Sequence, residues 1–131
     1  MINPELIAFL ADWAAAWAPL PASAGAAQRR AHFETVAAAT RLPMPDGVST
    51  KECWVQRDDR RVRVREFRPA SAVSQAALIY LHGGAWTRGS PETHWDITAD
   101  LAARTGRAVF SVDYAKVPEH QIGRASCREK V

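Results

Sequence analysis

Apolar residues recur at three- and four-residue spacing from the start of the chain. Ile2, Leu6, Phe9, Leu10, Trp13 and Trp17 fall on one stripe if this stretch is helical. Asn3-Pro4 suits a helix start, because Asn can cap free amides and Pro at the first helical position forfeits no hydrogen bond. Pro19 and Pro21 end the element. The stripe is expected to pack on the body of the protein, the alternative being a helix that lies on a membrane surface or covers a substrate. Residues 19–26 form a Pro/Ala/Ser/Gly connector, and 26–41 are good helix formers with Phe33, Val36 and Ala37 on one side, which predicts a second helix. Two prolines and the Asp46-Gly47 pair then break the periodicity, so a helical leader over 1–45 gives way to a β-rich core over 46–120.

From Thr50 the period shortens to two. Strands are predicted at 52–57 and 61–68 around a polar Asp58-Asp59-Arg60 turn, an antiparallel hairpin. Val62 and Val64 alternate with arginines, as in an edge region with one solvated face. The apolar runs at 76–81 and 108–112 read as strands buried on both faces. Between them a helix is predicted from Ser90 as cap, with Pro91 and Glu92 in its first turn and Gly106 as a left-handed C-cap. Two such strands joined by a helix imply a parallel βαβ unit with a right-handed crossover, and hence the α/β class.

Composition narrows the function classes. With 47% apolar and 24% charged residues in 131, the chain fits one ordinary globular domain. It has no apolar run of about 18 residues that would mark a membrane span, and Met1-Ile2-Asn3-Pro4-Glu5 lacks the basic stretch of a secretory signal, so a cytoplasmic protein is expected. The net charge of +3 is concentrated in the tail. Arg124, Arg128 and Lys130 against Glu129 make +2 there and leave +1 elsewhere, which argues against nucleic acid as a partner. Cys53 and Cys127 have no CxxC spacing; Cys53 reads as a small, partly buried residue beside Trp54.

The stretch that carries chemistry is Leu81-His82-Gly83-Gly84-Ala85-Trp86-Thr87-Arg88-Gly89-Ser90. Small residues directly after a central parallel strand let the backbone turn sharply and leave amide N–H groups unscreened, at the edge of the sheet where α/β proteins bind ligands. Such amides can hold an oxyanion at about 2.7–3.1 Å. Neither a dinucleotide nor a P-loop pattern can be drawn through these residues. His82 and His94 have no third ligand at metal spacing, so neither a metal nor another cofactor is expected.

This loop, with its apolar strand, Trp86, Gly89-Ser90, Val112-Asp113-Tyr114 and Pro118-Glu119-His120, resembles the hormone-sensitive-lipase-like branch of the α/β-hydrolases over residues 30–120. The resemblance implies the N-terminal portion of that fold and a serine carboxylesterase acting on small-molecule esters. Gly83, Gly84 and Ala85 would supply oxyanion-hole amides, His82 would position the loop, and the leader would form part of a cap. Trp86 would line the acyl pocket or simply pack. Ala85 stands where the family's HGGG has its third glycine, and a positive φ there would strain it by about 1 kcal/mol.

The nucleophile is expected on a later strand-to-helix elbow, and the chain has none. Pro21-Ala22-Ser23-Ala24-Gly25 is a decoy for G-x-S-x-G; Asp113 and His120 come too early for a triad, and Asp113 is expected to end its strand and hold the next turn. Residues 121–131 resemble a translated sequencing-library adapter and are expected to be a non-native tail. The 131 residues alone are then expected to be inactive and, with an incomplete sheet, to aggregate. The alternatives are a non-catalytic small-molecule receptor on the same fold, or a free-standing interaction fragment.

Overall fold

A computed structural model describes residues 3–120. Two helices lead: α1 (Pro4–Trp17) and α2 (Ala26–Ala39). Asn3 caps α1 as expected, its Oδ1 accepting from the Glu5 amide at 2.8 Å. The apolar stripe packs less than expected: no residue of α1 is buried, and Leu6, Phe9 and Leu10 are exposed. Only its C-terminal end is covered, where Trp13 and Trp17 lie 6.1 and 5.9 Å, centroid to centroid, from the Phe33 ring of α2.

Strands β1 (Val48–Arg57) and β2 (Arg60–Pro69) form the antiparallel hairpin, β1 starting earlier than predicted and β2 extending one residue further at each end. Arg57 pairs with Arg60, so the turn is the two residues Asp58-Asp59, and Asp58 takes φ +53, a conformation aspartate tolerates. Then come β3 (Ala77–Leu81), α3 (Trp95–Thr105) and β4 (Ala108–Asp113). The sheet order is β1-β2-β4-β3, with β3 and β4 parallel and the other pairs antiparallel.

α3 covers one face, around a core of Phe67, Ala99, Ala102 and Val109 with Leu78, Tyr80 and Trp95 packed on it. The Phe67 ring meets Trp95 edge-on at 5.0 Å. Among the described residues β3 is buried on one face only. Leu78 and Tyr80 point to the core, whereas Ile79 and Leu81 are 75% and 66% exposed on the other side, which corrects the expectation of a strand buried on both.

Two further corrections concern β2 and α3. β2 lies inside the sheet, and the face carrying Arg63 and Arg65 is not solvated: these side chains are 20% and 19% exposed. Arg63 binds Glu92 at 2.7 Å and Asp113 at 2.8 Å, and Arg65 binds Glu92 at 3.0 Å. Alternation shows that the arginines share a face; it does not reveal that carboxylates 29 and 50 residues away come to meet them. The helix also starts five residues later than Ser90. Ser90 Oγ does accept from the amides of Glu92 and Thr93, at 3.1 and 3.2 Å, but it caps a lead-in turn, and α3 begins after His94. Its other end follows expectation, with Gly106 at φ +60.

Candidate functional site

The parallel strand β3 delivers the chain to its carboxyl end at Leu81, and a tight loop follows at once. Gly84 is central to it. Its carbonyl accepts from the Thr87 and Arg88 amides and from the Thr87 hydroxyl, each at 3.1 Å. Its φ of +130 is open essentially to glycine alone, and a Cβ there would lie 2.6 Å from the Arg88 carbonyl carbon. Ala85 and Trp86 follow at φ +51 and +56, so the strain expected at Ala85 is realised.

No hydrogen bond among the described residues engages the amides of Gly83, Gly84 or Ala85. Gly83 and Gly84 line a cavity of about 390 Å³, and the leader helices complete its wall with Trp13, Ala14, Trp17 and Phe33, joined by Arg88 and His94. Trp86 is not in that wall. Its side chain is 56% exposed, and its carbonyl accepts from the Val117 amide at 2.9 Å.

His82 is buried beneath the loop. Its Nδ1 lies 2.8 Å from the Gly83 carbonyl, its own carbonyl accepts from the Tyr114 hydroxyl at 2.6 Å, and its ring stacks on Tyr114 at 4.3 Å. Burial pushes both His82 and His94 below the usual imidazole range, so both are neutral at pH 7. His82 is thus tied at its ring to Gly83 and at its carbonyl to Tyr114. Asp113 does what was expected of it: it ends β4 and accepts from Lys116 at 2.5 Å across the next turn. His120 is not in the cavity wall, and Ser23 lies in the connector between the leader helices rather than on a strand-to-helix elbow. Cys127 and the tail at 121–131 lie outside the described residues. Among those described, no cluster of His, Cys, Asp and Glu could hold a metal, and no helix is long and apolar enough to cross a membrane.

Sequence reasoning missed Arg30. From α2 it donates through Nε to the Thr87 carbonyl and through Nη2 to the Val117 carbonyl, both at 2.6 Å, and it grips Glu119 with two more bonds at 3.0 and 2.6 Å. A cap contributed by the leader was expected from the family resemblance, but the rings that make its wall, Trp13, Trp17 and Phe33, were not singled out. In sequence those rings read as packing residues, and nothing local marks the cavity they face.

Comparison with known proteins bears on the fold. Residues 78–126 match a family model described as an alpha/beta hydrolase fold. Much of the chain superposes on solved esterases: an esterase of Pyrobaculum calidifontis (27% identity, TM-score 0.77, 93% of this chain and 39% of that one), and, for the fold alone, an esterase from the bacterial hormone-sensitive lipase family (23% identity, TM-score 0.75, 94% and 39%). The chain thus carries part of an α/β-hydrolase fold. Its relatives within that fold are esterases, in keeping with the resemblance read from the glycine loop. One is an ethyl acetate hydrolase of Pseudomonas putida, 34% identical across 95% of this chain and 42% of its own length. The chain spans less than half the length of the curated relatives it matches.

Proposed function

We propose that this chain supplies the oxyanion-binding half of a serine carboxylic-ester hydrolase. The observation that supports the reading is that Gly83 and Gly84, whose amides make no hydrogen bond among the described residues, line a cavity at the carboxyl end of a parallel strand. Amides fixed in this way meet negative charge without reorganising, which is the usual means of stabilising a tetrahedral acyl intermediate. In the proposed reaction a serine oxygen, contributed from outside these 131 residues, attacks the ester carbonyl while a histidine takes its proton. The carbonyl oxygen becomes the oxyanion held by Gly83 and Gly84, with Ala85 as a third donor. Collapse breaks the bond to the alcohol, which leaves with the proton from the histidine, and water repeats the sequence on the acyl-enzyme.

Substrate choice follows from the wall. Trp13, Trp17 and Phe33 suit a small apolar or aromatic group, so short-chain esters of uncharged alcohols are the proposed substrate class. The leader helices act as part of a cap.

The test compares two proteins with p-nitrophenyl acetate. The intact protein should turn over the ester and be silenced by a serine-directed phosphonate, whereas the 131-residue chain should show no rate above buffer. An intact protein that binds short esters without cleaving them would overturn the hydrolase reading and leave a receptor.

A further inference from the structure

The glycine loop hangs from a side chain outside the sheet. Arg30 lies on α2, 57 residues before Thr87, and its guanidinium holds together three segments: the leader helix, the loop through the Thr87 carbonyl, and the segment after β4 through the Val117 carbonyl and the Glu119 carboxylate. The backbone bond from the Val117 amide to the Trp86 carbonyl joins the last two independently. Thr87 belongs to the turn that closes on the Gly84 carbonyl, so a shift of the Thr87 carbonyl is passed to the Gly84 peptide three residues back.

We propose that Arg30 is the positioning residue of the glycine loop: through it, the leader helix sets whether the amides of Gly83 and Gly84 face the cavity. The chemistry suits the task. A planar guanidinium presents several donors in a fixed fork, so it can serve two carbonyls and a carboxylate at once, whereas an ammonium offers a point charge without that geometry. The clamp also stays ionised across the working pH range. The bond to Glu119 outweighs burial in raising Arg30, and Arg30 in turn holds the Glu119 carboxyl at about 2. The neighbouring Arg29 provides an internal comparison. It donates to the Ala24 and Ala22 carbonyls at 2.9 and 2.7 Å, within the leader's own connector, and does not touch the loop.

The kinetic part of the test rests on the hydrolase reading and uses the intact protein. Arg30→Ala should lower kcat about 10- to 100-fold with KM within about 3-fold, because the donors are misplaced only where charge develops. The affinity for a boronic acid that forms a tetrahedral serine adduct should fall by the same factor as kcat. Arg30→Lys should recover part of the loss, and Arg29→Ala should leave kcat per folded molecule unchanged even where it lowers Tm. Activity losses that merely follow the folded fraction in both variants would overturn the proposal. Hydrogen exchange of the 82–90 segment supplies a readout that needs no activity: Arg30→Ala should speed it at least about 10-fold and Arg29→Ala should not. If the wild type cleaves no ester yet this exchange difference appears, the hydrolase reading fails and the clamp stands. If the exchange is equal in both variants, the clamp fails whatever the activity.

Discussion

Placing a methyl group on Gly84 should disable the loop, and the same change at Gly83 should not. At Gly84 the backbone sits at φ +130, and the new Cβ would come within 2.6 Å of the Arg88 carbonyl carbon. That carbonyl cannot simply swing away, because the Arg88 amide is itself bonded to the Gly84 carbonyl. Relief requires the 84–88 turn to open. The backbone change alone costs about 1–3 kcal/mol, and an opened turn takes the amides off the cavity wall, where losing one oxyanion donor lowers kcat about 10²- to 10³-fold. Gly83 is the matched control: its φ is not positive, and a Cβ would meet only His94 Nε2, at an ordinary 3.7 Å. In the intact protein, Gly84→Ala should therefore lose about 1–3 kcal/mol of stability by urea titration and at least about 100-fold in kcat, while Gly83→Ala stays within about 0.5 kcal/mol of wild type. Equal urea midpoints and equal turnover for the two variants would refute the reasoning, since the loop could not then be wound as described.

Three other perturbations test separate parts of the structure. Burial alone would raise the Glu92 carboxyl, but the bonds from Arg63 and Arg65 outweigh it and hold it at about 2. A carboxylate lowered from 4.5 stabilises the fold fully above its unfolded value and loses that contribution as pH falls from about 4.5 to 2, at most about 3 kcal/mol. Arg63→Met should remove most of this acid loss between pH 5.5 and pH 3; an unchanged drop in urea midpoint would count against the pairing. Burial lowers His82 and His94 below 6.5, so the unfolded chain takes up more protons beneath that value and stability declines as pH falls through it. His82→Gln should reduce the slope of stability between pH 7.5 and 5.5 and leave the part due to His94; a slope identical to wild type would show His82 to be solvated. Phe67→Ala, at a fully buried ring packed on Trp95, should cost about 3–5 kcal/mol by thermal or chemical melting, and a loss under about 1 kcal/mol would mean the core is not closed there.

Sequence carried the local architecture well where period and punctuation coincide. Asn3-Pro4 begins α1, Gly106 ends α3, and the switch from helical to strand period near Thr50 falls two residues from the start of β1. The tight loop after β3 was legible for the same reason, since Gly83, Gly84 and Gly89 stand directly between an apolar run and a polar turn. Legibility failed where partners are distant in the chain. Arg63 and Arg65 look solvated until Glu92 and Asp113 arrive beside them, and Arg30 looks like any surface arginine on a helix until the 117–119 segment folds beneath it. Ser90 misled for a subtler reason. Its hydroxyl makes cap-like bonds, yet the 91–94 turn does not continue as α-helix, and composition does not distinguish a cap on a helix from a cap on a turn. The reach of α1 was overstated because periodicity identifies a face to be covered and is silent about what covers it.

On the proposed reading, the bare face of β3 and the catalytic strength of the loop are one problem. Oxyanion donors act strongly only where water is excluded, since bulk solvent both competes for the charge and screens the dipoles. Gly83 is exposed, and Ile79 and Leu81, on the strand leading directly to it, are largely bare. Whatever brings a serine to the cavity has to approach the carboxyl end of β3, and the surface that packs on Ile79 and Leu81 would dry the loop at the same time. The leader helices would do part of this work through Trp13, Trp17 and Phe33, with Arg30, on the clamp proposed above, keeping that wall in register with the loop. The donors of Gly83 and Gly84 are thus shaped by short-range rules within ten residues, whereas their strength depends on contacts made by the rest of the molecule.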